Sequence, residues 1–222
     1  MTRAYSKKWG VIFDMDGVLI DSYNAHFLSW KRALNKYGLS ITEYQFSSTF
    51  GQTNKDILSK LFPQLDPREY AVIEEEKEKI FREIIKDDFP EMDGASELID
   101  AIYNMGGLIG IGSSAPLENI KTVLELLPTG NYFRVIISGN DISYGKPDPE
   151  IFLKVAEKLG LYPNKCIVIE DSPSGVKAGK LAGCTVIGLV GTVSKEELKD
   201  ADVVIYSLRD LSPKLLRNIL KC

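Results

Sequence analysis

Apolar residues recur in two different rhythms along this chain, and the rhythm changes near residue 22 and again near residue 93. Trp9-Gly10-Val11-Ile12-Phe13 is a short apolar run that stops at Asp14-Met15-Asp16-Gly17, which reads as a buried strand followed by a turn. From Ser22 to about Pro90 the spacing is helical. Phe27, Trp30, Ala33, Leu34 and Tyr37 predict a helix over Ala25–Tyr37, Asn54–Leu61 a short one, and Arg68–Lys86 a long one. The charge run Glu74 to Lys79 reads as the solvated face of that long helix, with Ile73, Ile80, Phe81 and Ile84 turned inward. Phe50-Gly51-Gln52-Thr53 reads as a loop, and no strand is predicted in this stretch.

After Gly94, helices alternate with short apolar runs. Strands are predicted at Leu108–Gly112, Val135–Ile137, Cys166–Ile169, Thr185–Leu189 and Val203–Ile205. Helices are predicted at Ala95–Met105, Leu117–Leu126, Glu150–Leu159, Ser174–Ala182 and Pro213–Leu220, with a short helix between the last two strands. Strands that alternate with helices imply an α/β fold, a Rossmann-like doubly wound and mostly parallel sheet covered on both faces. The predicted core is residues 1–21 with 93–222, interrupted by an all-helical insert over 22–92.

The 222 residues suffice for one sizeable domain with an insert. A formal charge of −4 argues against nucleic acid or a membrane surface as the main partner. The three cysteines, Cys166, Cys184 and Cys222, have no CxxC spacing, which reads as a reducing compartment with neither disulfide framework nor zinc site. Without a signal-peptide pattern or a run long enough to span a bilayer, the expected location is the cytoplasm. Oligomeric state is not readable here, and a monomer is compatible with the sequence.

The chemistry gathers at predicted strand ends, where open α/β sheets bind their ligands. Asp14 and Asp16 follow the first strand, Ser113 and Ser114 the second, and Glu170-Asp171 the Cys166–Ile169 strand; Lys146 sits in Gly145-Lys146-Pro147-Asp148-Pro149, just before a helix. An Asp-x-Asp-Gly turn also suits a calcium loop, but Val18-Leu19-Ile20 stands where further oxygen ligands would be needed. Hydrolysis of a phosphate monoester needs a nucleophile, an acid for the leaving oxygen, and positive charge around the phosphoryl oxygens. Asp14 can be the nucleophile and Asp16 the acid and then the base. Lys146 and a divalent cation offset the negative charge, and oxygen ligands suit Mg²⁺. Ser113 and the backbone N–H groups after it can hold a phosphoryl oxygen. Each part also has a plain structural reading: helix capping for Asp171-Ser172-Pro173, an exposed turn for the Lys146 segment. Gly110-Ile111-Gly112-Ser113-Ser114-Ala115 matches a dinucleotide fingerprint in letters, but its second glycine falls inside the strand and no acid ends a strand at the required distance.

In order along the chain, Phe13-Asp14-Met15-Asp16-Gly17-Val18-Leu19, Ser113, Lys146 and Glu170-Asp171 resemble the four motifs of the haloacid dehalogenase-like superfamily of phosphatases and phosphomutases. Gly145-Lys146-Pro147-Asp148-Pro149-Glu150-Ile151-Phe152, with Glu170-Asp171-Ser172 and Gly175, is similar to the β-phosphoglucomutase-like branch. The resemblance implies an aspartyl-phosphate on Asp14, Asp16 as general acid/base, and Mg²⁺ held by Asp14, the Asp16 carbonyl and Asp171, with Glu170 beside them. It also implies that the insert is a helical cap that closes over the substrate. Asp21 to Lys31 resembles the start of that cap in β-phosphoglucomutases and gives His26, the single histidine, an active-site role; Gly51, Asn54, Ser114 and Ala115 are the further candidates for substrate contact. Phe50 and Asn54 stand where a mutase carries the basic residues for a second phosphate.

The expected activity is therefore a Mg²⁺-dependent phosphatase of a small phosphorylated metabolite such as a sugar phosphate. The alternatives are a sugar phosphomutase, a non-catalytic binding protein of the same fold, and, more distantly, a phosphonatase using Lys55.

Overall fold

The computed structural model describes residues 8–49 and 52–220. The chain divides into two compact units, residues 1–21 with 91–222, and residues 22–90.

The first unit is built on a six-stranded sheet with every pairing parallel: β1 (Gly10–Phe13), β2 (Leu108–Gly112), β3 (Phe133–Ile137), β4 (Cys166–Glu170), β5 (Thr185–Leu189) and β6 (Val203–Ile205), in the order β3-β2-β1-β4-β5-β6. This is the Rossmann-like order, and it reverses direction between β1 and β4, where a crevice opens at the carboxyl ends of the strands. Both strands are wholly buried, which is why they read as continuous apolar runs. Ile12, Val135, Ile137, Val168 and Val186 pack on one face with Ile151, Phe152, Val155 and Val176 from the helices covering it. Register places the chemistry: Phe13 is level with Ile111 on one side and Ile169 on the other, so Asp14 leaves the sheet level with Gly112 and Glu170.

The second unit is helical, with α1 (Tyr23–Asn35), α2 (Glu43–Ser47), α3 (Asn54–Leu61) and α4 (Pro67–Asp87). Trp30, Leu34, Ile41, Phe46, Ile57, Leu58 and Ile73 form its own core. Helix α4 starts at a capping box in which Asp66 and Glu69 each bond the other's backbone N–H, with Pro67 at the first helical position. The remaining helices, in the first unit, are α5 (Ala95–Asn104), α6 (Leu117–Leu126), α7 (Glu150–Leu159), α8 (Pro173–Ala182) and α9 (Pro213–Ile219).

Three expectations are corrected. No helix forms between β5 and β6: bonds from Glu197, Leu198 and Ala201 each reach back three residues, giving turns that seat Leu198 under Gly188. The charge run of α4 is not all solvated, since Lys77 is 2% and Glu78 7% exposed, and it is Ile85 rather than half-buried Ile84 that is fully enclosed. Tyr37 lies beyond α1 and is exposed. No helix among the described residues is long and apolar enough to cross a membrane.

Candidate active site

Four segments distant in sequence meet at the carboxyl ends of β1, β2 and β4. Asp14 follows β1 directly, and its backbone N–H donates to the Ile169 carbonyl at 3.0 Å, which ties the first acid to the strand that carries the second pair. The chain then turns at Gly17, whose φ of +73° is left-handed and suits glycine. A side chain at Gly17 would also overlap the Asp171 carboxylate. Glycine here therefore lets the turn after β1 lie directly against the end of β4.

Lys146 Nζ donates to Asp14 Oδ1 at 2.6 Å and to Glu170 Oε1 at 2.7 Å. Its side chain is 8% exposed and stands over the Phe152 ring at 5.0 Å. The loop that carries it is fastened at several points. Glu150 Oε2 accepts from the N–H groups of Ser143 and Tyr144, Lys154 Nζ donates to the Asp141 carbonyl, and Asp148 Oδ1 caps α7 at the Glu150 N–H. A lysine on such a base is aimed rather than tethered, because its backbone has little freedom left to lose. Glu170 is held in turn by Ser172, whose N–H and hydroxyl both donate to Oε2, and Gly175 donates to the Ser172 hydroxyl. A side chain at Gly175 would occupy the space of the Glu170 carboxylate.

Ser113 is buried; its backbone N–H donates to the Ile137 carbonyl, and its hydroxyl oxygen accepts from the Ala115 N–H at 3.1 Å. A hydroxyl that accepts locally keeps its own proton to give. Ala115 is fixed from the other side, where its carbonyl accepts from Gly139, and Ser114 is exposed at the tip of this turn.

Asp14, Glu170 and Asp171 each bring a carboxylate oxygen within 4.8 Å of the other two. Three acids against one ammonium leave negative charge over. Burial, the Glu170 charge and the Asp16 charge together push Asp14 up to about 7 although Lys146 opposes them. Burial, the Glu170 charge and the Asp14 charge push Asp171 well above the ordinary range. Burial would lower Lys146, but Asp14 and Glu170 outweigh it and raise it, so the lysine stays charged. An all-oxygen donor set with surplus negative charge fits a hard divalent cation.

One member of this neighbourhood was not expected from sequence. The Thr192 hydroxyl, in the loop after β5, donates to Asp171 Oδ2. Its signal was position alone: β5 adjoins β4, so the loop after it opens on the same crevice. The helical unit, taken by itself, carries the other candidates, His26, Gly51 and Asn54. Gly51 falls outside the described residues. His26 and Asn54 are joined through the two buried charges of α4. Lys77 Nζ is 2.8 Å from His26 Nδ1 and 2.8 Å from Glu78 Oε1, which also accepts from Asn54 Nδ2 at 2.7 Å. The His26 ring stacks on Phe81, their centroids 4.2 Å apart.

A family model described as haloacid dehalogenase-like hydrolase matches residues 11–189. A phosphorylated carbohydrates phosphatase of Thermotoga maritima is 32% identical over 218 residues, covering 95% of this chain and 97% of that protein. A β-phosphoglucomutase of Bacillus subtilis is 29% identical over 214 residues, 93% of this chain and 92% of that one. Among solved structures, a β-phosphoglucomutase from Clostridium difficile superposes with a TM-score of 0.83 at 26% identity, covering 96% of this chain and 97% of that one.

Proposed function

This chain belongs to the haloacid dehalogenase-like hydrolases, an enzyme family, and from that premise we propose that it is a Mg²⁺-dependent phosphatase of a small sugar phosphate, working through an aspartyl-phosphate. The observation that carries the reading is the meeting of Asp14, Lys146, Glu170 and Asp171 in one buried cluster. Asp14 attacks phosphorus and takes the phosphoryl group as the ester oxygen leaves. Asp16, two residues on and partly exposed, gives that oxygen its proton. The same carboxylate then takes a proton from the water that attacks the aspartyl-phosphate, and inorganic phosphate is released. Lys146 and the Ser113 hydroxyl hold phosphoryl oxygens as charge builds on them. Asp14, Asp171 and the Asp16 carbonyl would hold the cation, with Glu170 kept for Lys146. Bound there, Mg²⁺ supplies positive charge that lets two anions approach.

Hydrolysis is favoured over phosphoryl transfer between sugar positions by the helical unit. A mutase must hold a second phosphate, and here the buried ammonium of Lys77 is already paired with Glu78, to which the Asn54 amide is also committed. A sugar phosphomutase remains the second reading, favoured by the His26–Lys77 contact and by the β-phosphoglucomutase of 29% identity.

The test is phosphate release with Mg²⁺ across a panel of phosphorylated metabolites, with products resolved. Release from one sugar phosphate, lost in Asp14→Asn with the fold intact, is expected. Conversion of β-glucose 1-phosphate to glucose 6-phosphate without free phosphate would establish the mutase instead, and a fully active Asp14→Asn would overturn the mechanism.

A further inference from the structure

Asp171 is gripped from three directions. Its own chain comes from the end of β4, the turn at Gly17 lies against its carboxylate, and the Thr192 hydroxyl donates to Oδ2. A carboxylate that ligates a cation is ionised and accepts only, so in that state Thr192 is the donor, and its single proton is committed to that oxygen. The bond is not needed to hold its loop. Val190 N–H is already bonded to the Ile205 carbonyl on one side. On the other, the Ser194 N–H and hydroxyl both donate to Glu197 Oε2. Nor does burial demand it: Thr192 is exposed, and its hydroxyl has water as an alternative partner. What the bond does is fix the plane of the Asp171 carboxylate, with one oxygen engaged and the other left for a ligand.

From this we infer that Thr192 is a positioning residue for the cation site, setting the orientation of the Asp171 carboxylate before the metal arrives. The inference rests on the proposed reading of Asp14 and Asp171 as cation ligands. Partners that orient a ligand in this way are worth about 10–100-fold in metal affinity.

The experiment titrates Mg²⁺ into purified wild type, Thr192→Val, Thr192→Ser and Asp171→Asn, reading the rise in melting temperature with Mg²⁺ concentration and, separately, heat of binding. Valine matches threonine in shape and lacks the donor; serine keeps it. The expected result is a Mg²⁺ affinity about tenfold or more weaker in Thr192→Val, restored to within about threefold of wild type by serine, with metal-free melting temperatures alike. Wild-type affinity in Thr192→Val, alongside binding lost in Asp171→Asn, would overturn the role of Thr192 and leave the cation site standing. A lower metal-free melting temperature with unchanged affinity would show loop anchoring and also overturn it. Wild-type protein that gives neither heat nor melting shift with Mg²⁺ would overturn both the inference and the cation reading beneath it.

Discussion

Lys146 Nζ lies 2.6 Å from Asp14 Oδ1, and the same ammonium, 2.7 Å from Glu170 Oε1, spans two of the three clustered acids. Lys146→Met should lower phosphate release about 10²–10³-fold, the scale for losing one charge-stabilising donor. It should also change how stability responds to pH. Asp14, already up to about 7, would rise further without its ammonium. An acid whose folded pKa exceeds its unfolded one binds more protons when folded, so stability falls as pH rises between the two values. In metal-free buffer both proteins lose stability in parallel up to about pH 7, so the melting-temperature deficit of Lys146→Met should widen from about pH 7 to pH 9. A deficit that is flat across that range would mean the lysine is not what keeps Asp14 ionisable.

Gly175→Ala tests the support beneath that lysine. Alanine is favoured over glycine inside a helix by about 1 kcal/mol. Here its Cβ would take the place of the Glu170 carboxylate, in the first turn of α8. Overpacking of this kind costs about 1–3 kcal/mol, so urea denaturation should show net destabilisation. Activity should fall as well, because Glu170 holds Lys146. An alanine variant as stable and as active as wild type would contradict the packing.

Lys77 and Glu78 make a third test. Burial would raise Glu78, but Lys77, His26 and the Asn54 amide outweigh it and hold it below the ordinary 4.5. A depressed carboxyl stabilises the fold fully above its unfolded value and loses that contribution as pH falls through the folded one. Lys77→Met strands a buried carboxylate and should cost about 3–5 kcal/mol; Lys77→Met with Glu78→Leu should cost much less than the sum of the single changes. Trp30, buried in the helical unit, reports its unfolding by fluorescence once Trp9 is replaced by Phe. The gap between wild type and Glu78→Gln should shrink below about pH 4.5. Additive costs in the double variant would mean the two charges do not depend on each other.

Burial pushes the thiols of Cys166 and Cys184 up to about 12. At pH 8 such a thiol is ionised about once in ten thousand, so iodoacetamide should leave both unmodified in the folded protein and label both in guanidinium chloride. Peptide mapping by mass spectrometry reads the outcome. Labelling of either residue in the native state would show that β4 and β5 open far more readily than a packed sheet should.

What could be read in the chain beforehand followed from how directly each feature depends on local pattern. The apolar runs at Val11–Phe13 and Ile167–Ile169 are buried on both faces of the sheet and announce themselves, and the acids after them stand where strand ends must be. Lys146 was legible from its place just before Pro147-Asp148-Pro149, where two prolines stiffen the backbone that leads into a helix. Helix α2 was missed because five residues hold too little periodicity; its trace was the Thr42–Gln45 capping box. Lys77 and Glu78 were misread because a charge run on an amphipathic helix is normally solvated, and only the tertiary approach of His26 and Asn54 makes their burial tolerable. Thr192 depends on a loop three-dimensionally adjacent to β4, and no local pattern distinguishes it from any other surface threonine.

The strand order has a consequence for how the site comes into being. Strand β1 is made first yet sits at the centre of the sheet, flanked by β2 and β4, whose residues begin at 108 and 166. At a synthesis rate of about 5–20 residues per second, Asp14 waits roughly 8–30 s for the strand that carries Glu170 and Asp171. Until then Asp14 lacks the two acids of its cluster, and Lys146, already made, lacks the second carboxylate that it bridges. On the proposed mechanism the nascent chain therefore has no complete site to receive a phosphoryl group until β4 has paired with β1.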